Sequence, residues 1–358
     1  MSETLVIQDS PTRDALAERL KAKLGRILPE FEIELKADVA FAINQLKKEL
    51  NAVILGHNYM EPALYQSVPD YVGDSLELSR ISAKTDADII VFCGVQFMAE
   101  TAKVLSPEKM VLIPSEKAGC SLAAGITAED VKALRACLPG VPVVSYVNTY
   151  ADVKAESDYC CTSGNATKVV QHLMAEGHKK IIFLPDEFLS RNTARETGLP
   201  FVMGAPGPQL AEEAGKHEAC IIGWPVRCEV HDLFTVEDVE NVRRQFDDVV
   251  IIAHPECSPE VIAKVDVSGS TKKMVEYVRE SNAKRYLLLT ECSMGDNIAA
   301  ENPDKEMLRL CSHRCPHMNQ ITLDDTLEGL RKLQYQINLP DDILQRAKLP
   351  IDRMLSIG

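Results

Sequence analysis

The chain has 358 residues, 46% of them hydrophobic, with 39 basic against 53 acidic side chains and a net charge of −14. That length supports two or three domains around substantial cores, while the acidic balance opposes nucleic acid or an anionic membrane surface as a partner and favours a small molecule. No apolar run approaches the roughly 18 residues of a membrane span, and the charged, interrupted stretch from Met1 to Glu30 lacks the apolar block of a secretory signal, so a cytoplasmic protein is expected.

Leu35 to Leu50 carries apolar residues at helical spacing and predicts a helix feeding the first strand. A pattern then occurs three times: an apolar β-type run ending in a polar side chain, a small-residue turn, a further run ending in an acid, and a cysteine. The first copy uses residues 52–59, 89–94 and 110–116 and ends at Cys120. The second uses 143–148, 159–164 and 181–187 and ends at Cys228; the third uses 249–256, 265–270 and 286–291 and ends at Cys315. Blocks of Val, Ile and Leu separated by helical stretches such as Val169 to Glu176 and Thr271 to Glu280 predict an α/β fold, with parallel strands covered by helices on both faces. Ligands bind beyond the carboxyl ends of such strands, where His57, Tyr59, Tyr146, Asn148, His254 and Glu256 fall. Gly198 to Gly215 reads as an irregular excursion and Asp296 to Lys305 as a polar loop. Ile321 to Leu355 alternates helical segments with Pro340 and Pro350 and is expected to pack back on the first unit.

Eleven cysteines, an odd number without a secretory signal, argue against a disulfide framework. Cys93, Cys160, Cys161 and Cys220 sit in or beside apolar runs and read as small core residues. The repeat singles out Cys120, Cys228 and Cys315, which would converge if three similar units pack about a common axis, as in a buried metal site. Cys311 and Cys315 have three residues between them rather than two, so a zinc ribbon has little support. Three thiolates would leave one iron of a four-iron cluster without a protein ligand, free to act as a Lewis acid in a dehydration. His57 with Tyr59, and His254 with Glu256, occupy matching strand ends and could supply hydrogen bonds or general acid and base. His231 lies close to Cys228, whereas His172, His178 and His217 fall on polar or helical stretches. The turns at Thr162-Ser163-Gly164-Asn165 and Ser268-Gly269-Ser270-Thr271, with Ser75, suit a small, multiply anionic substrate at helix N-termini.

With these residues in hand, the chain resembles the quinolinate synthase family of de novo NAD synthesis. The resemblance runs from about His57 to Met354 and is carried by Gly56-His57-Asn58-Tyr59, Gly73-Asp74-Ser75-Leu76-Glu77, the stretches Phe97 to Lys103 and Leu105 to Lys109, Tyr146-Val147-Asn148-Thr149, Cys228-Glu229-Val230-His231, His254-Pro255-Glu256 and Gly269-Ser270-Thr271. It implies a transferase-type synthase that condenses iminoaspartate with dihydroxyacetone phosphate to quinolinate, phosphate and two waters. It also implies three pseudo-threefold-related, three-layer α/β/α domains: an N-terminal extension 1–34, then 35–118 completed by 318–358, then 119–222, then 223–317. A [4Fe-4S] cluster at their junction would be held by Cys120, Cys228 and Cys315. By the same resemblance Tyr59, His57, Glu256, His254 and His231 are catalytic, with Tyr59 and Glu256 as proton carriers. Ser75, Tyr146, Asn148, Ser163 and Thr271 would hold carboxylates and phosphate together with His57, His254 and Glu256. Some family members carry a Cys-x-x-Cys-x-x-Cys run near the last ligand, a spacing that Cys311 does not meet. The one protein partner suggested is a transient contact with the enzyme that makes iminoaspartate; no nucleic acid or membrane is expected. Two other readings remain open, a three-cysteine cluster hydro-lyase acting on a hydroxy acid and a non-catalytic iron-sulfur sensor.

Overall fold

The computed structural model describes residues 5–6, 10–310 and 313–357; Cys311 lies outside the described residues. Its strands form three sheets. The first holds β1 (Leu5–Val6), β2 (Ala52–His57), β3 (Tyr71–Gly73), β4 (Ile89–Cys93) and β5 (Met110–Leu112) in the order β1-β3-β2-β4-β5. The second holds β6 (Val143–Tyr146), β7 (Tyr159–Cys161), β8 (Lys180–Leu184), β9 (Phe201–Met203) and β10 (Cys220–Gly223) in the order β7-β6-β8-β10-β9. The third holds β11 (Val249–Ala253), β12 (Val267–Ser268), β13 (Arg285–Leu289) and β14 (Glu306–Leu308) in the order β12-β11-β13-β14. All pairs are parallel except the edge pair of β1 with β3. Once the edge strands β1 and β9 are set aside, the three orders are the same, so the chain is an α/β protein of three related units. None of the described helices is long and apolar enough to cross a membrane.

The relationship extends to single hydrogen bonds. Asp70, Asp158 and Asp266, each just before or at the start of the second strand's approach, accept the N–H of Ile54, Val143 and Ile251 at 2.8 Å. Each aspartate is also paired with a cation from the preceding helix: Lys47 at 2.8 Å, Arg135 at 2.8 Å and Arg243 at 3.0 Å. An aspartate that accepts both charged and backbone donors ties the start of the second strand to the first and so helps set their register.

The repeat predicted from sequence is therefore shifted in its first copy. The partner of Tyr159–Cys161 and Val267–Ser268 is Tyr71–Gly73, and Ile89–Cys93 matches the third strands Lys180–Leu184 and Arg285–Leu289. Tyr71–Gly73 is short and has one central valine to advertise it. The predicted excursion at Gly198 to Gly215 contains β9 and the helix Pro208–Gly215. Most of the predicted polar loop at Asp296 to Lys305 is helical, within Cys292–Glu301, because its polar side chains face inward: Asn297 Nδ2 donates to the carbonyls of Asn58 and Met60 at 3.2 and 2.9 Å. The first long helix, Glu30–Glu49, begins earlier than its apolar spacing suggests, after Pro29. Of the C-terminal segments, Leu323–Lys332 packs on the first unit, against Glu30–Glu49 and β4. The final helix Asp341–Ile357 lies against β7 and the helices Ala151–Ala155 and Ala166–Ala175 of the second unit as well as Gln96–Leu105 of the first, and so ties two units together.

Candidate active site

At the carboxyl end of each first strand the chain turns: Met60 and Cys257 donate their N–H to the carbonyls of His57 and His254 at 3.0 and 2.9 Å, and Thr149 Oγ1 donates to that of Tyr146 at 3.0 Å. This places His57 and Tyr59, Tyr146 and Asn148, and His254 and Glu256 around one cavity of about 730 Å³. The turns after the second strands add Asp74 with Ser75, Thr162 with Ser163, and Thr271, each at or beside the start of a helix. Cys120, Cys228 and Cys315, following the fourth strands, line the same cavity with His231, and Phe97, Met98, Leu122 and Met318 contribute apolar wall. Every site residue singled out from sequence thus faces one space, which His172, His178 and His217 do not line.

Within it the histidines are held in defined forms. His57 Nδ1 accepts the backbone N–H of Tyr59 at 3.2 Å, and His254 Nδ1 that of Glu256 at 3.3 Å. A nitrogen that accepts an N–H carries no proton of its own, so in both neutral rings Nε2 bears the hydrogen. Burial lowers both imidazoles to about 3, against the opposing pull of Glu256. His254 Nε2 lies 3.1 Å from Ser163 Oγ, and the ring stacks on His231 with centroids 4.7 Å apart. Glu256 is 3% exposed. It accepts from Tyr146 Oη at 2.7 Å and from Asn148 Nδ2 at 3.5 Å on one oxygen, and its other oxygen lies 2.8 Å from His231 Nδ1. Burial pushes its carboxyl up, but His254, His231 and the hydrogen bonds together hold it well below the usual carboxylate range. Burial, followed by the Glu256 charge, drives the Tyr59 and Tyr146 phenols well above their ordinary value, so both remain protonated.

The three cysteines share one local structure. Each precedes a helical turn in which the carbonyl of the cysteine accepts the N–H four residues on: Cys120 from Ala124 at 2.9 Å, Cys228 from Asp232 at 3.0 Å, Cys315 from Asn319 at 3.2 Å. Burial pushes the Cys120 thiol to about 12, Cys315 to about 11 and Cys228 well above its ordinary value. In each case the backbone N–H groups two and three residues on oppose that rise. Buried sulfurs that meet backbone donors are suited to the thiolate form, which a bound metal enforces. Each loop then enters a helix through a capping box, Thr127 with Asp130, Thr235 with Asp238 and Thr322 with Asp325. Cys228, His231 and Glu256 also bring one ligand atom each to within 4.8 Å of one another. The donors present therefore fit a metal centre.

Residues 41–356 match the family model described as quinolinate synthetase A protein. The chain belongs to that family. It is 46% identical to quinolinate synthase 2 of Mesorhizobium japonicum over 94% of this chain and 96% of that protein. It is also 46% identical to the quinolinate synthase of Agrobacterium fabrum, over 95% and 92% of the two chains, and 48% identical to that of Xylella fastidiosa, over 88% and 86%.

In this quinolinate synthetase A family member, residues at the cavity and directly behind it were not singled out from sequence. Thr290, 2% exposed at the end of β13, bonds Tyr59 Oη at 2.6 Å and His231 Nε2 at 3.0 Å. Nothing in its neighbourhood in sequence marks a threonine before a glutamate. Glu291 lines the wall and accepts the N–H of Cys315 at 3.4 Å. The cysteine loops did carry a readable signal. Cys120-Ser121-Leu122-Ala123-Ala124-Gly125-Ile126-Thr127 and its counterparts ending at Thr235 and Thr322 share the spacing from cysteine to capping threonine to aspartate.

Proposed function

We propose that the chain acts as a quinolinate synthase in NAD synthesis in the cytoplasm, a transferase-type enzyme that condenses iminoaspartate with dihydroxyacetone phosphate and releases phosphate and two waters. We further propose that Cys120, Cys228 and Cys315 hold a [4Fe-4S] cluster. The observation that carries the reading is the convergence of three equivalent cysteine loops and three polar strand ends on one cavity. When bound, such a cluster supplies a Lewis-acidic iron free of a fourth protein ligand.

The chain's own residues account for the rest. Ser75 and Thr271 begin helices and Ser163 lies in the turn before a third, where backbone donors and the helix dipole favour carboxylate and phosphate groups. Neutral His57 and His254 present Nε2–H groups, which donate to substrate oxygens without adding charge. Glu256, ionised and held by Tyr146 and Asn148, takes up a proton as condensation and water loss proceed. The Tyr59 phenol, on the wall supplied by the first unit, gives or receives one. The apolar wall limits water around these transfers.

Anaerobic purification followed by iron, sulfide and product analysis tests the reading. About four iron and four sulfide per chain are expected, with quinolinate formed only when both substrates are present. Colourless protein with full activity would overturn the cluster. A single metal without sulfide would favour a mononuclear site at Cys228, His231 and Glu256, the second reading that their 4.8 Å grouping supports. Turnover of a hydroxy acid without dihydroxyacetone phosphate would favour the hydro-lyase. A Cys228→Ser protein that lost the cluster but kept its function in cells would favour the sensor.

A further inference from the structure

Two buried asparagines reach across the seams between units and grip the turns that carry Glu256 and Tyr59. Asn192, 2% exposed on the helix Glu187–Thr197 of the second unit, donates Nδ2 to the carbonyls of Pro255 and Cys257 in the third unit at 2.8 and 2.9 Å. Asn297, 3% exposed on the helix Cys292–Glu301 of the third unit, donates Nδ2 to the carbonyls of Asn58 and Met60 in the first at 3.2 and 2.9 Å. In both cases the bonded carbonyls belong to the residues on either side of one that lines the cavity, Glu256 or Tyr59. Each asparagine is the sixth residue of the helix after its unit's third strand, so the two are equivalent grips on successive seams. At the same place in the first unit stands Thr101, whose hydroxyl turns back to the carbonyl of Phe97 at 2.7 Å. The corresponding carbonyl of the second unit, that of Thr149, takes its donor from Lys154 of its own unit.

The chemistry of the amide explains the choice of side chain. An amide that meets two carbonyls presents its NH2 to both, since its oxygen could only repel them, so the orientation of each asparagine is fixed. Oδ1 is then turned into packed protein, and in both residues it has no hydrogen-bond partner among the described residues. A buried oxygen without a donor costs stability, so neither position is set by stability alone. What the amide supplies is two donors at one point. They tie together carbonyls two residues apart, and with them the peptide planes of the short run between.

We infer that Asn192 and Asn297 are positioning residues for the reaction. Neither lines the central cavity; each holds the backbone of a neighbouring unit so that Glu256 and Tyr59 meet the bound substrate in register. The inference rests on the reading of those two side chains as proton carriers in quinolinate formation.

Leucine in place of either asparagine keeps the volume and removes both donors, and alanine takes its place where leucine does not fold. Asn44→Leu is the control. Asn44 is 2% exposed, donates to the carbonyl of Ser67 at 3.0 Å and has an equally bare Oδ1, but it lies outside the turns that line the cavity. All are purified anaerobically beside wild type, and iron, the urea midpoint, and kcat and KM for quinolinate formation are measured on each. Asn192→Leu and Asn297→Leu are expected to lower kcat about 10- to 100-fold, the scale of a reacting group displaced by about 1 Å, with wild-type iron and KM within about 3-fold. Asn44→Leu should lower the urea midpoint and leave kcat within about 3-fold. In a Glu256→Gln background Asn192→Leu should lower kcat by less than about 3-fold, because the proton carrier it positions has already been lost. A fall in kcat smaller than about 10-fold would overturn the inference for that residue. An equal fall in Asn44→Leu, a full further fall in the Glu256→Gln background, or loss of iron in step with activity would overturn it altogether. Wild-type protein that forms no quinolinate would overturn the functional reading and this inference with it, whereas an active wild type with equally active leucine variants overturns this inference alone.

Discussion

Replacing Glu256 by glutamine tests the centre of the site with the smallest change of shape. The carboxylate accepts on both sides, from Tyr146 at 2.7 Å and from His231 Nδ1 at 2.8 Å. An amide can accept on only one. If its oxygen faces His231, its NH2 faces the donors of Tyr146 and Asn148; if it turns round, the NH2 meets Nδ1–H. Either way one buried bond is lost, at about 1–3 kcal/mol. Loss of a proton carrier then lowers kcat by about 10²- to 10⁴-fold, or roughly 3–5 kcal/mol of barrier. Iron and sulfide should stay at wild-type levels, because the proposed cluster ligands are cysteines. Product chromatography on anaerobic protein, normalised to iron, measures both. A kcat within 10-fold of wild type at equal iron would refute the role given to Glu256. Loss of more than half the iron would refute the ligand set and make Glu256 a metal ligand instead.

Serine at any one of Cys120, Cys228 or Cys315 should abolish bound sulfide and visible absorbance while leaving the far-ultraviolet circular dichroism of the chain unchanged; retention of the cluster by any of the three would remove that residue from the ligand set. His57 and His254 give stability an acid-side dependence. Each stays neutral in the fold down to about 3 but takes a proton near 6.5 when unfolded, so stability is present above that value and is lost as pH falls. Between pH 7 and 5 the loss is about 2 kcal/mol per histidine, and a His57→Gln/His254→Gln protein whose urea midpoint falls as steeply as that of wild type would contradict it. Lys154 is fully buried beside Glu100, where its ammonium donates to the carbonyl of Thr149 and Glu100 accepts the N–H of Ala151 at 2.8 Å. Lys154→Met should cost about 1–3 kcal/mol by leaving the buried Thr149 carbonyl without its donor, read as a lower urea midpoint; a midpoint equal to that of wild type would refute it.

What was legible in sequence follows from where the physics is local. Val53, Ile54 and Leu55, or Ile181, Ile182 and Phe183, are buried on both faces of a parallel sheet, so their apolar blocks announce strands. The polar ends at His57, Tyr146 and His254 could then be placed by counting along the strand. Tyr71–Gly73 and Phe201–Met203 were not legible because each has three residues and borders Pro69 or Pro200 and Gly204, so composition reads as loop. Asp296 and Asn297 misled in the opposite sense: they are polar but buried, at 3% exposure each, Asp296 against Arg309 and Arg314 and Asn297 against carbonyls of the first unit. Thr290 was out of reach for the same reason, since its meaning lies in Tyr59 and His231, far away in the chain. The cysteine-threonine-aspartate spacing lay in plain view and marks the three cysteine loops as equivalent.

The strand order common to all three sheets has a bearing on assembly. No single unit owns a binding crevice, because each offers one thiol, one pair of polar side chains at a strand end and one helix start, and each of these is an ordinary surface feature alone. Catalytic competence is therefore a property of docking, acquired at one stroke when the third unit seats against the other two. Turnover reports the integrity of the three seams between units more sensitively than it reports the folding of any one of them. A change that loosens a seam without melting a sheet would leave a chain that is folded by every spectroscopic measure and catalytically silent.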